Sequence, residues 1–153
     1  MRDFEKISFD QFKKDIEDNI DLYNEMTIPQ RSSDSTAGYD LPLLSDIVIE
    51  PNEIKKIPTG LKSKFNSDEV LLLVVRSSMG FKYNIRLCNQ VGIIDADYYN
   101  NPDNEGHIWI KVQNEGDKSV ELKKGSAIAQ GLFMKYLTTD SDESLGKERR
   151  SNY

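Results

Sequence analysis

Between residues 35 and 137 the apolar runs are short, and each ends in a turn signal. Ile47-Val-Ile49 gives way to Glu50-Pro-Asn52, Ile54 to Ile57 leads to Pro58 and Gly60, and Leu61 to Phe65 leads to Asn66-Ser-Asp68. Val70 to Val75 is a continuous apolar run that suits a strand buried on both faces. His107 to Val112 alternates, and Asn114-Glu-Gly-Asp117 after it reads as a hairpin turn. Val120-Glu-Leu122, then Lys123-Lys-Gly125, then Ile128 to Tyr136 complete the set. Many short strands at close spacing predict an all-β sandwich or barrel.

The flanks read differently. Residues 8 to 26 carry Phe9, Phe12, Ile16, Ile20, Tyr23 and Met26 at spacings of 3, 4, 4, 3 and 3, one face of an amphipathic helix. Ser8 and Gln11 predict a capping box at its start, and Thr27-Ile-Pro29 ends it. The apolar face is read as core packing. Residues 138 to 153 have almost no apolar content and predict a flexible C-terminal arm. Arg149-Arg150 is its notable feature: a solvated pair, or a cation carried onto an anionic ligand. Residues 1 to 137 are then a single domain, with the helix at 8–26 and the β core at about 35–137.

Charge and cysteine usage narrow the function. With 26 acidic and 20 basic residues the net charge is −6, against a general nucleic-acid binder. A small anion held by a few local cations is still allowed. One cysteine, Cys88, permits no intrachain disulfide and fits a reducing compartment; its apolar neighbours predict a small buried side chain. No apolar run nears the roughly 18 residues of a membrane span, and no signal region precedes the helix, so a cytoplasmic protein is expected.

The chemistry concentrates in Asn89-Gln-Val-Gly-Ile-Ile-Asp-Ala-Asp-Tyr-Tyr99. Its apolar run stops at Asp95, and Asp97 follows two residues on, on the same side of an extended chain. A carboxylate at the end of a buried strand is costly unless it has a partner or a task. A simple turn is the competing reading. Upstream, Arg76-Ser-Ser-Met-Gly80 offers a cation, two hydroxyls and a glycine, either a loop or an anion cradle. An acid beside an anion cradle points to hydrolysis of a phosphate compound. His107 is the only histidine, so a histidine metal cluster is ruled out, and nothing in the sequence marks it for a triad. There is no Walker loop, and Gly80 and Gly92 are isolated. If the chain is an enzyme, a carboxylate is left as its general base.

Ala37-Gly-Tyr-Asp-Leu41, Arg76-Ser-Ser-Met-Gly80, Gly92-Ile-Ile-Asp-Ala-Asp-Tyr98 with Asn89 before it, Gly125-Ser-Ala-Ile-Ala-Gln130 and Glu148-Arg149 occur in this order. From about residue 35 to 150 the chain thereby resembles the trimeric all-β dUTPases, the deoxyuridine triphosphate nucleotidohydrolases. The resemblance implies a jelly-roll-like (β-clip) fold and a homotrimer with sites at subunit interfaces. It implies hydrolysis of dUTP to dUMP and pyrophosphate with Mg²⁺. Asp95 matches the carboxylate that activates a water for attack on the α-phosphorus. Arg76, Ser77, Ser78 and Arg149 match phosphate-binding positions, and Gln130 matches a substrate-binding residue of the fourth motif. Asn89, Gly92, Ile93 and Ile94 fall in a β-hairpin, here about 89 to 95, whose backbone pairs with uracil. Tyr98 matches the ring under the sugar that leaves no room for a ribose 2′-hydroxyl. Asp40 matches an acid near the metal, acting through water or by holding Arg76, while Mg²⁺ is bound mainly by the triphosphate.

This chain departs from the family pattern at several positions. Val75 replaces the usual proline, and Ala127 replaces the usual arginine. Tyr99-Asn-Asn-Pro-Asp-Asn-Glu-Gly106 makes a longer turn than usual after Tyr98. The expected glycine-rich stretch with a uracil-stacking phenylalanine does not follow Arg149: either the arm is cut short here, or Tyr153 substitutes imperfectly. A dCTP deaminase-type enzyme on the same fold and a non-catalytic nucleotide-binding or interaction module are the alternatives. The deaminases place a glutamate near the base, so Asp95 in the Ile-Asp-Ala-Asp-Tyr context favours a dUTPase.

Overall fold

A computed structural model describes residues 1–148, 150, 151 and 153. The chain starts with β1 (Asp3–Lys6), and two short helices follow, α1 (Phe9–Asp15) and α2 (Ile20–Glu25). The single helix expected over 8–26 is therefore broken. Asn19 caps α2, its side chain accepting from Leu22 N at 3.0 Å, and this restart competes with continuation through Glu17-Asp18. The apolar residues still meet, because the two helices fold against each other. Ile7, Phe12 and Met26 form a small core with Phe9, Ile16, Leu22, Tyr23 and Leu44 against it. Ile20 is left exposed.

Half of the expected capping box forms. Ser8 Oγ accepts from Gln11 N at 3.2 Å, but the Gln11 amide turns to Asp15 Oδ2 at 3.0 Å. The Ser8 N–H donates instead to Glu105 Oε2 at 2.6 Å.

The β core matches the short runs. Its strands are β2 (Tyr39–Pro42), β3 (Ile47–Ile49), β4 (Ile54–Pro58), β5 (Leu61–Lys64), β6 (Glu69–Val75), β7 (Ile85–Leu87), β8 (Gly92–Ile94), β9 (Trp109–Asn114), β10 (Val120–Leu122) and β11 (Ala127–Lys135). A third helix, α3 (Ser77–Tyr83), separates β6 from β7. The described pairings are all antiparallel. One sheet runs β2-β11-β6-β8, a second β4-β9-β7, and the pairs β1-β5 and β10-β3 complete the layers. This is a jelly-roll-like arrangement, with Ile49, Leu71, Ile85, Ile108, Val112 and Ile128 at its centre.

Three expectations change. The segment Asn114–Asp117 turns the chain, but β9 and β10 do not pair; β10 crosses to β3. The buried Asn114 makes that corner, its amide donating to Ile49 O and Lys118 O at 2.9 and 2.8 Å and its Oδ1 accepting from Gly116 N. Second, β6 is buried on one face only. Leu71 and Leu73 enter the core, whereas Val70, Leu72 and Val74 remain part-exposed. Directly paired residues share a face, so Ile93, Leu72 and Leu132 form one outer row, and Val70 and Met134 another. In one chain this apolar stripe is left partly open. Third, Cys88 is half-buried rather than buried.

His107, fully buried, ties α1 to the core. Its Nε2 accepts from Gly60 N at 2.9 Å, so the proton sits on Nδ1 and is donated to Asp15 Oδ2 at 2.5 Å. Burial lowers its pKa below the ordinary value, outweighing the opposite pull of Asp15. Protonation would also set a second N–H against that of Gly60. The unfolded chain therefore takes up the proton first as pH falls through about 6.5. This contribution to stability is complete above that pH and is lost as pH falls below it. We expect Tm to fall between neutral and mildly acidic pH. His107→Gln should flatten this part of the pH profile; an unchanged slope would take His107 out of it.

Candidate active site

The residues picked out by sequence fall into two groups. The first surrounds a pocket of about 430 Å³, lined by Asn89, Gly92, Ile93, Ile94 and Tyr98 together with Cys88, Trp109 and Lys111. Tyr98 is buried, and its hydroxyl donates to His107 O at 2.7 Å, which fixes the ring. Two contributors, Arg150 and Tyr153, come from the C-terminal arm.

The expected hairpin over 89–95 is not one. The chain turns where Gln90 N donates to Leu87 O at 3.0 Å, with Gln90 at φ 64°. The strands on either side then enter different sheets, β7 beside β9 and β8 beside β6. This leaves β8 at the end of its sheet. An edge strand keeps a row of backbone N–H and C=O groups outside the ladder, and here that strand lines the pocket. Packing is tight at Gly92: a Cβ there would stand 3.0 Å from Leu73 Cβ, so any larger residue would push that side chain aside.

The second group lies around the end of β6. Arg76 precedes α3, and its Nε lies 3.3 Å from Asp40 Oδ1. Ser77 and Ser78 open α3 and are exposed. Gln130 pairs in register with Asp40 on one side and Val74 on the other. A Cβ on Gly38 would come within 2.0 Å of Gln130 Oε1, so only glycine lets the Gln130 side chain lie there. Gly38→Ala is expected to displace Gln130 and weaken nucleotide binding while the fold is kept. Unchanged binding by calorimetry would separate Gln130 from the ligand.

Asp95 follows β8 in extended backbone. Ile94 pairs with Leu71, so Asp95 sits level with Val70. Arg76 lies six residues farther along β6. At about 3.3 Å per residue that places the backbones of Asp95 and Arg76 about 20 Å apart in one chain. The phosphate chain of a nucleotide spans only a fraction of that distance. Arg149 lies outside the described residues.

The donor set limits metal chemistry. Among the described residues no group of three or more His, Cys, Asp or Glu could hold a metal ion. Asp40 is engaged with Arg76, which leaves it suited to contact through water. An ion that keeps most of its waters, as Mg²⁺ does, would fit this sparse donor set. No described helix is long and apolar enough to cross a membrane.

Comparison with known proteins agrees with this architecture. The dUTPase family model matches residues 24–152. The deoxyuridine 5′-triphosphate nucleotidohydrolase of Lactococcus lactis is 46% identical over 126 residues, covering 82% of this chain and 84% of its own. The crystal structure of dUTPase from Streptococcus mutans superposes with a TM-score of 0.73 at 37% identity, over 91% of this chain and 99% of that one. A mutant dUTPase from phage phi11 of Staphylococcus aureus, described with a structural Mg(II) ion, shares the fold at a TM-score of 0.69 and 18% identity, over 97% of this chain and 99% of that one. On the family match and the Lactococcus relative, the chain belongs to the dUTPase family.

Proposed function

We propose that the chain hydrolyses dUTP to dUMP and pyrophosphate, in sites shared between copies of a homotrimer. The observation that carries this is the edge strand Gly92–Ile94 lining a pocket with room for a nucleoside, with Asp95 at its end. Backbone groups of fixed position can pair with uracil and refuse the amino group of cytosine, because a mismatched buried polar group is costly. Tyr98, held by its hydroxyl bond, supplies a fixed wall against the sugar.

Asp95 acts as the general base. It takes a proton from the attacking water as the oxygen bonds to the α-phosphorus and the bond to the leaving pyrophosphate breaks. Arg76, Ser77, Ser78 and Gln130 hold phosphate oxygens, Arg76 being oriented by Asp40. Mg²⁺ carried by the triphosphate supplies charge neutralisation on the leaving group. With Asp95 and Arg76 at opposite ends of β6, one nucleotide meets both only if a second copy supplies one of them. The part-exposed outer stripe of Ile93, Leu72, Leu132, Val70 and Met134 is a surface suited to that contact.

Incubation with each dNTP and with UTP, with and without Mg²⁺, tests the reading. Pyrophosphate from dUTP alone is expected. Ammonia from dCTP would instead indicate a deaminase, and binding without any product a non-catalytic module. Tyr98→Ala should raise UTP hydrolysis relative to dUTP; a constant ratio would remove Tyr98 from sugar selection.

A further inference from the structure

We propose that the long turn at 99–106 is a docking site for the C-terminal arm, with Asp103 and Asn104 as positioning residues that hold the arm over the base pocket. This rests on the reading of that pocket as the nucleotide site.

The turn is preformed. Asn101 is buried; its N–H donates to Tyr98 O at 3.0 Å, and its Oδ1 accepts from Asp103 N at 2.9 Å. Glu105 N donates to Asn101 O at 2.7 Å, and His107 N to Asn104 O at 3.0 Å. The N-terminal segment braces it from outside. Tyr99 Oη donates to Glu5 Oε1 at 2.6 Å and Ser8 N to Glu105 Oε2, while from β5 Lys62 Nζ donates to Asn100 Oδ1 at 2.8 Å.

Two side chains of this turn reach the arm. The Asp103 carboxylate accepts from Arg150 Nη2 with one oxygen and from Ser151 N, at 2.8 Å, with the other. The Asn104 amide nitrogen has two hydrogens. It lies 2.7 Å from Tyr98 Oη and 3.2 Å from Ser151 Oγ, so one side chain joins the pocket wall to the arm. The consequence is visible in the pocket. Arg150 and Tyr153 both line it, and the Tyr153 ring meets Tyr98 edge-on with centroids 5.8 Å apart. A short turn after Tyr98 would offer no such carboxylate. The insertion and the arm therefore work as a pair.

A charge reversal and its repair test this in the full-length protein. Asp103→Lys and Arg150→Glu are each made alone and together. Exchange of the Ser151 backbone amide, followed without nucleotide, should quicken by about fivefold in either single variant, a size typical of a partly exposed ion pair turned repulsive. It should return only in part in the double variant, because a lysine at 103 can pair with a glutamate at 150 but offers no acceptor to the Ser151 N–H. The kcat/KM for dUTP should fall and recover in parallel, with thermal stability nearly constant across the set. Unchanged Ser151 exchange in both single variants would overturn the docking. Altered exchange with constant kcat/KM would overturn its link to the site. Absence of dUTP hydrolysis in every form, wild type included, would refute the enzymatic reading, while the exchange data would still decide the docking.

Discussion

Replacing Asp95 with asparagine is expected to lower dUTP turnover by about 10²- to 10⁴-fold, the range for loss of a general base. The amide keeps the size and polarity of the side chain but takes up no proton at neutral pH. Asp95 follows an edge strand whose neighbours Ile94 and Gly92 pair with β6, so the substitution should leave the backbone in place. Binding of a non-hydrolysable dUTP analogue, measured by calorimetry, should stay within severalfold of wild type. Near-wild-type turnover in this variant would transfer the base role elsewhere. Lost binding would mean that Asp95 positions ligand or backbone instead.

Leu72→Asp is expected to have a comparable effect by a different route. Leu72 lies in the outer row between Ile93 and Leu132, on a sheet whose inner face is already packed. If copies meet across this stripe, each interface would bury an unpaired carboxylate, at a cost of several kcal/mol. The chain itself should still fold, because the outward side chain is part-exposed in a single copy. Sedimentation should give monomers with wild-type circular dichroism, and turnover should fall by about 10²-fold or more, since dissociation would separate residues that share a nucleotide. An intact trimer with normal turnover would place the contact on another surface.

The β core was legible in the sequence because its signals are local. Strands ending at Ile49, Pro58 and Lys64 stop where Pro, Asn, Asp or Gly interrupts an apolar run. Pairing was not legible, since it joins residues far apart. Nothing around Asp3–Lys6 announces a strand; its partner is β5, about 60 residues away. The same limit turned two expected hairpins into corners, because a turn signal says that the chain reverses and not which sheet receives it. The break at 16–19 left its signal in Asn19, a good N-cap inside an otherwise continuous apolar period. His107 carried no signal, because its partners Gly60 and Asp15 lie far off in sequence. The site motifs were readable as residue types in order. Their separation into two groups along β6 emerges only from the register, as does the tie between the long turn and the arm.

Mixing two inactive variants tests most directly whether the site is shared between copies. Asp95→Asn chains keep Arg76, and Arg76→Gln chains keep Asp95. Each alone should be nearly inactive. After unfolding and refolding together in equal amounts, random assembly places both native residues in about one quarter of shared sites. Recovery of about a quarter of wild-type dUTP turnover is the expected result. Activity no greater than that of the separate variants would contradict it, and would require Asp95 and Arg76 to serve one nucleotide within a single chain.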